Sequence, residues 1–399
     1  MNIGIVTTWF ERGASYVSLQ YANLLKENNT VFVYARGGYE PTYQIEFKVT
    51  VDKNHHLIVK SALNIVQFEK WIIENKITHI LFNEQFWWEP ILLAKKHKVI
   101  CSAYVDYYTR ETVDLFQIYD AVFCNTIRHF SVFEKFNNAI YIPWGTDCDV
   151  FNYKPKSLNE SLIFFHSVGW SPFRKGTDLL IEAASLIDKP FKLIIHSQGN
   201  LFELLPNQRA KLSALIESEK IEIIEKTVEA PGLYHLGDVY VYPTRLEGIG
   251  LTIAEAISCG LPTIVPNNGP MIEFISDETC KKVAVEKFKM REDNYYWEMS
   301  EVSIDDLKKA MEFYIDCKSN INILAEKTRN FAEKNLDWNK NAAHLPKYFK
   351  EMKYSTVEEK FIFKAKSSDK KIMKYGSLYS ISPNLYQFLV KAYKQFTKK

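Results

Sequence analysis

Two glutamates, Glu247 and Glu255, stand eight positions apart around the run Gly248-Ile-Gly-Leu251. Gly248 and Gly250 let the backbone turn tightly and approach a ligand with no side chain in the way. A helix that begins there presents free backbone amides, which attract an anion such as phosphate. Gly248, Ile249, Gly250 and Leu251 are therefore a candidate phosphate cradle. A carboxylate beside a phosphate site repels the phosphate, so Glu247 and Glu255 suit neutral hydroxyls instead, such as those of a sugar or a ribose. Upstream, Arg174 and Lys175 sit in Gly169-Trp-Ser-Pro-Phe-Arg-Lys-Gly176, between a strand and a helix start. Charge-assisted bonds to phosphate are about twice as strong as neutral ones, so these two cations fit a diphosphate. The competing reading is ordinary: two solvated carboxylates and a basic surface turn.

The flanking patterns say what must position these groups. Val239 to Tyr242 is a short apolar, aromatic run halted by Pro243, which predicts a buried strand. Leu251 to Ser258 predicts a helix, with Ile253, Ala256 and Ile257 as its core stripe and Gly260 and Pro262 as its stop. Thr263 to Val265 predicts the next buried strand. Further strands are expected at about 3–8, 31–34, 78–83, 98–103, 121–124, 139–142, 162–168, 191–196 and 221–224. Helices are expected at about 14–26, 64–75, 127–136, 178–187, 303–316, 320–334 and 338–352. Strands alternating with helices imply parallel sheets, with ligands at the carboxyl ends of the strands.

At 399 residues the chain is long enough for two domains, and 47% hydrophobic residues supply two cores. A net charge of +2 argues against a nucleic-acid partner. Six scattered cysteines without a C-x-x-C pair suit a reducing compartment. Nine histidines show no ligand spacing for a structural zinc. The chain opens on Ile3-Gly-Ile-Val6 without a basic, apolar leader, and no run reaches the length of a membrane span. The expected location is cytoplasmic.

Tyr234, Asp238, Pro243-Thr244, Glu247-Gly-Ile-Gly-Leu251, Glu255-Ala256 and Gly260-Leu-Pro262 resemble the nucleotide-sugar signature of family 4 glycosyltransferases. Ile142-Pro-Trp-Gly-Thr-Asp147 is similar to that family's interdomain segment, Asn267 to Glu273 to its loop on the base side of the nucleotide, and Leu336-Asp-Trp338 to its terminal element. The resemblance implies an α/β fold of two facing Rossmann-like domains, the GT-B type, with an interdomain cleft. It implies a retaining enzyme in which Glu247 holds hydroxyls of the donor sugar, Glu255 the ribose, and Lys175 the leaving diphosphate. The leaving phosphate would take the acceptor's proton. Residues 1–153 would form an N-terminal acceptor-side domain and 154–338 the nucleotide-sugar domain. Residues 339–399 would return to the first domain and end in a basic tail.

Two positions depart from the family pattern. Trp170 stands where the family's phosphate-loop arginine is expected, which makes Arg174 the substitute charge. Val105-Asp106 stands where a histidine is expected, which makes Asp106 the substitute contact to the transferred sugar. Weaker candidates are Glu11, Arg12 and Gly13 in the first loop, as donor or acceptor contacts or as a charged surface turn. Glu84 belongs to Asn83-Glu-Gln-Phe-Trp-Trp-Glu89, whose aromatic rings fit either a sugar or a hydrophobic plug. Asp147-x-Asp149 matches a metal-binding tripeptide of other glycosyltransferases, yet it lies inside the interdomain segment and reads as structural. No cofactor and no essential metal are expected. The sequence therefore predicts a glycosyltransferase acting on a glycan or lipid-linked acceptor, with Leu385 to Phe396 as a basic amphipathic tail for an anionic membrane surface or for packing on the protein. The alternatives are a non-catalytic nucleotide-sugar sensor or scaffold, or another GT-B activity such as a nucleotide-sugar epimerase.

Overall fold

The computed structural model describes residues 1–53, 61–157 and 159–381, with side chains described through Lys370. The chain divides into two compact units. The first comprises 1–124, 129–141 and 344 onward, and the second 125–128 and 142–343. Residues 154–157 and 159–161, where the sequence breaks both periodicities, lie within the second unit.

In chain order the first half runs β1 (Asn2–Trp9), α1 (Gly13–Lys26), β2 (Thr30–Tyr39), β3 (Lys48–Val51), α2 (Ile65–Glu74), β4 (His79–Asn83), α3 (Glu89–Lys96), β5 (Ile100–Tyr104), β6 (Ala121–Cys124), α4 (Ile127–Phe133) and β7 (Ala139–Tyr141). The strands form one seven-stranded sheet in the order β3-β2-β1-β4-β5-β6-β7, and every pair in it is parallel. A parallel sheet needs both faces covered, and the strand centres comply: Ile3, Ile5, Val33, Ile80 and Phe82 are fully buried. The α2 start is set by Asn64, whose side chain accepts the Gln67 N–H at 3.0 Å.

The second half runs β8 (Leu162–Gly169), α5 (Thr177–Ser185), β9 (Phe191–Ser197), α6 (Leu201–Leu204), α7 (Arg209–Glu217), β10 (Ile221–Glu225), β11 (Val239–Val241), α8 (Leu251–Ser258), β12 (Thr263–Pro266), β13 (Lys281–Val283), β14 (Val285–Lys289), β15 (Met299–Val302), α9 (Ile304–Asp316), α10 (Ile321–Asn335), α11 (Trp338–Asn341), α12 (Leu345–Glu351) and α13 (Glu359–Ile381). Its six-stranded sheet has the order β10-β9-β8-β11-β12-β13, again parallel throughout. Phe164, Leu180, Ile195, Val239, Val241, Ile264 and Met311 fill its core. β14 and β15 form a separate antiparallel hairpin. Both units are thus Rossmann-like α/β layers, and β8 and β11 are neighbours at the centre of the second.

Differences from the expected elements have identifiable causes. β2 runs on to Tyr39, through Arg36-Gly-Gly, because it stays paired with β1 beyond a bulge. That pairing is tertiary, so a glycine-containing stretch becomes strand. β3 is a short, partly exposed edge strand without an apolar run to announce it. The single helix expected over 338–352 is two, α11 and α12, with Pro346 in the first turn of the second. The segment Leu385 to Phe396, singled out as a membrane-directed tail, lies outside the described residues. Within the first unit α13 is fastened by Asp369, whose carboxylate accepts the N–H groups of Trp88 at 3.0 Å and Glu89 at 2.9 Å. No helix among the described residues is long and apolar enough to cross a membrane.

Candidate functional site

Arg174 and Lys175 lie in the turn between β8 and α5. The turn closes on itself through Lys175 N–H to Ser171 O at 3.0 Å and Thr177 N–H to Pro172 O at 3.0 Å. Its last residue, Gly176, has φ +70°, and a Cβ there would sit 2.0 Å from the Pro243 carbonyl oxygen. Only glycine therefore lets the turn press against the loop that follows β11. That loop answers with Arg245 N–H to Arg174 O at 2.8 Å and Thr244 Oγ1 to Arg174 O at 3.1 Å. The two sequence motifs, some seventy residues apart, become one surface.

Glu247 is the centre of that surface. Its Oε1 accepts from Arg174 Nη1 at 3.0 Å, Lys175 Nζ at 2.9 Å, Tyr242 OH at 3.0 Å and Thr244 Oγ1 at 2.7 Å. Lys175 Nζ also donates to the Tyr242 hydroxyl. All four of these donors converge on Oε1, one of the two carboxylate oxygens. Burial alone would raise the Glu247 pKa, but Arg174, Lys175 and Thr244 outweigh it and hold the carboxyl at about 2. Burial, with Arg174 beside it, lowers the Lys175 ammonium to about 8 despite its carboxylate partner. The reading of Glu247 as a solvated surface carboxylate does not apply: its side chain is 8% exposed.

Helix α8 supplies the backbone part. It starts at Gly250 in the left-handed region, φ +95°, with no side-chain cap and no acidic residue in its first turn. A helix start of this kind favours negative charge near its free amides. One turn in, Glu255 accepts from the Tyr234 hydroxyl at 2.6 Å. Burial and Glu255 push the Tyr234 hydroxyl far above its ordinary value, so it stays a neutral donor to the carboxylate. Behind the site His166 is fully buried, hydrogen-bonded to Val241 O at 2.8 Å and Thr177 Oγ1 at 2.8 Å. Burial lowers it to about 4, so it is a neutral brace at the α5 start.

Arg174, Lys175, Glu247, Gly248, Ile249, Gly250, Leu251 and Glu255 all belong to the second unit. The other candidates belong to the first. Arg12 and Glu84 meet there at 3.6 Å, while Glu11 and Gly13 are exposed beside Arg12 and Asp106 is half-buried just past β5. In the aromatic segment after β4, Trp87 and Trp88 are buried at 6% and 2%, the plug reading for those two rings. Phe86 stays half-buried, edge-on to Tyr107 at 4.8 Å. Asp147 accepts the N–H groups of Asp149 at 3.0 Å and Val150 at 3.1 Å. Thr146 bridges to Asp337, whose neighbour Trp338 packs on Trp144 at 4.7 Å. Residue-type reasoning missed Tyr242 as the hydroxyl joining Lys175 to Glu247, because within an apolar strand it reads as core. Trp170, at the expected arginine position, is 67% exposed.

Residues 151–335 match the family described as Glycosyl transferases group 1. A sucrose synthase from Arabidopsis thaliana is 35% identical over 89 residues, 19% of this chain and 9% of that protein. The lipopolysaccharide core biosynthesis mannosyltransferase LpsB of Rhizobium meliloti is 27% identical over 146 residues, 34% of this chain and 41% of that protein. The chain thus spans well under half the length of these curated relatives. Among solved structures, Anabaena HepE in complex with UDP aligns with a TM-score of 0.69 at 13% identity, covering 88% of this chain and 99% of HepE. Residues 151–335 are thus similar to the glycosyl transferases group 1 family, and the chain has the two-Rossmann fold of the GT-B glycosyltransferases.

Proposed function

We propose that the chain is a retaining, family 4-like glycosyltransferase that moves a sugar from a nucleotide diphosphate sugar to a hydroxyl of a glycan or lipid-linked acceptor. The observation that carries this reading is the knot at Glu247, where two cations meet one oxygen of a buried carboxylate beside a helix start with no side-chain cap. The cations and helix amides take a diphosphate, and Glu247 takes a sugar hydroxyl. Glu255, one turn into α8, would accept from the ribose. Developing negative charge on the leaving diphosphate would be met by Lys175, Arg174 and the amides of 248–251, groups already oriented before reaction. Asp106, Glu11, Arg12, Gly13 and Glu84 remain proposed contacts of the first unit. The name of LpsB and the UDP bound by HepE support a role in polysaccharide or glycoconjugate synthesis.

A melting screen with UDP-, GDP-, ADP- and TDP-sugars tests the donor. A ligand at about 100 times its Kd adds about 2.7 kcal/mol of stability by mass action. A flat response to all four nucleotide sugars would reject the donor site. The exposed Trp170 and the absent histidine at Asp106 favour one other reading, a non-catalytic nucleotide-sugar sensor. Hydrolysis of the bound donor in the absence of acceptor separates the two, because a sensor leaves the donor intact.

We also propose that transfer needs no metal. Asp147 is committed to the backbone amides of 149 and 150, which supports a structural role for that pair. Activity should persist in EDTA; loss on chelation with rescue by manganese would reassign Asp147 and Asp149. A cytoplasmic enzyme acting on a lipid-linked acceptor would work at the membrane, and Lys391, Lys394, Lys398 and Lys399 with Leu389, Tyr393 and Phe396 suit that surface. Each such lysine contributes about 1 kcal/mol near anionic lipid, so several give reversible, salt-sensitive binding. Full-length protein should co-sediment with anionic liposomes, and deletion after residue 376 should weaken this. Equal binding by the truncated chain would return the tail to ordinary helix packing.

A further inference from the structure

Arg245 is a nearly buried cation whose two Nη groups are both held by protein acceptors. Its Nη1 and Nη2 fork onto Asp178 Oδ1 and Oδ2 at 2.7 Å each, and Nη1 also donates to the Phe173 carbonyl. The guanidinium lies 4.0 Å over the centre of the Phe173 ring. Glu301 of β15 approaches Nη2 at 3.6 Å. The backbone of Arg245 is held on both sides, by its own N–H to Arg174 O at 2.8 Å and by Ser300 N–H to Arg245 O at 2.8 Å. One residue thus joins the turn of 170–176, the first turn of α5, the Glu247 loop and the β14–β15 hairpin.

The turn needs such a tie. Its aromatic side chains do not anchor it by burial, since Trp170 is 67% and Phe173 52% exposed. The two cations it carries must nonetheless meet Glu247 at about 3 Å, and a displacement of 1 Å in such a site can cost about a hundredfold in rate. Arginine suits the task because its planar fork matches a carboxylate in two parallel bonds while its face stacks on a ring. A lysine offers a single point charge and can do neither together.

Building on the donor reading above, we propose that Arg245 is a positioning residue: paired with Asp178 and stacked on Phe173, it fixes the turn that sets Arg174 and Lys175 against Glu247 and the diphosphate, without touching substrate. The function-carrying groups are Arg174 and Lys175; Arg245 acts through them.

The test uses the full chain with Arg245→Lys and, separately, Asp178→Asn, each checked for folding by circular dichroism. The first readout is the pH profile of Lys175 acylation by an amine-reactive reagent, resolved by mass spectrometry. In the wild type Lys175 should titrate near pH 8, held among Arg174, Glu247, Tyr242 and Glu255. In both variants the midpoint should move up toward the ordinary 10.5 as the turn relaxes into solvent. The second readout is calorimetric affinity for uridine, guanosine and adenosine diphosphates, expected to weaken tenfold or more in the variants for whichever the wild type binds. Folded variants with an unchanged Lys175 midpoint overturn the proposal, whether or not nucleotide affinity falls. Should Arg245→Lys fail to fold, Asp178→Asn removes the other half of the fork and is read the same way. A shifted midpoint in a protein whose wild type binds no nucleoside diphosphate upholds the positioning role and rejects the donor reading instead.

Discussion

Replacing Lys175 with alanine should abolish nearly all transfer while leaving the protein folded. Lys175 Nζ is held 2.9 Å from Glu247 and is largely buried, so its charge acts in a poorly screened site. Removing one such contact from a transition state that develops diphosphate charge costs about 2–4 kcal/mol, a thirtyfold to thousandfold loss of kcat/KM. Glu255→Ala should also lose most activity, because the acceptor proposed for the ribose, bonded at 2.6 Å to Tyr234, is then gone. The wild type should show the same dependence through pH. With its pKa lowered to about 8 by burial and by Arg174 beside it, Lys175 in the unliganded site loses its proton at lower pH than an ordinary lysine. Since only the ammonium attracts the diphosphate, donor affinity should fall as pH rises through about 8. Near-normal turnover by both alanine variants would remove these residues from the site.

Glu247→Gln should separate binding from transfer, with opposite signs. In the unliganded site both cations already have an anion, since Arg174 and Lys175 share Glu247 Oε1. An incoming diphosphate must compete with that carboxylate and sit near its charge. A glutamine keeps the shape and one acceptor oxygen but removes the negative charge, leaving two partly buried cations in need of an anion. Affinity for a nucleoside diphosphate should therefore rise, by about tenfold for each 1.4 kcal/mol of competition relieved. Transfer should nevertheless fall at least a hundredfold, because the sugar loses its charged hydroxyl acceptor where positive character develops at the reacting carbon. Calorimetry with the diphosphate and a transfer assay measure the two effects separately. Weaker diphosphate binding by Glu247→Gln would show that the carboxylate assists the cations.

Several features were legible in the chain itself. Parallel strands bury both faces, so Val239 to Tyr242 and Thr263 to Val265 carry apolar runs that mark them without help from elsewhere. Helix α8 was legible to the residue, Leu251–Ser258, because a left-handed glycine opens it and Gly260 closes it. Spacing also marked Glu247, Glu255, Arg174 and Lys175 as groups able to do chemistry, since glycines, cations and carboxylates at strand ends are local signals.

Tertiary structure decided what those groups do to one another. Nothing local says that Lys175 and Arg174 reach the same oxygen of Glu247 across 72 and 73 positions, or that Tyr242 turns its hydroxyl to them from within an apolar run. The pKa values of Lys175 and Glu247 arise from that meeting and from burial, neither of which a sequence contains. The long β2 was set by its pairing with β1, an element distant in sequence. Arg245 shows the difference most plainly. A lone arginine in a loop reads as solvated, and only the approach of Asp178, Phe173 and the β14–β15 hairpin makes it the buried tie of the site. Spacing along a chain fixes neighbours within an element; the low-dielectric company of a charge is fixed by which elements the fold brings together.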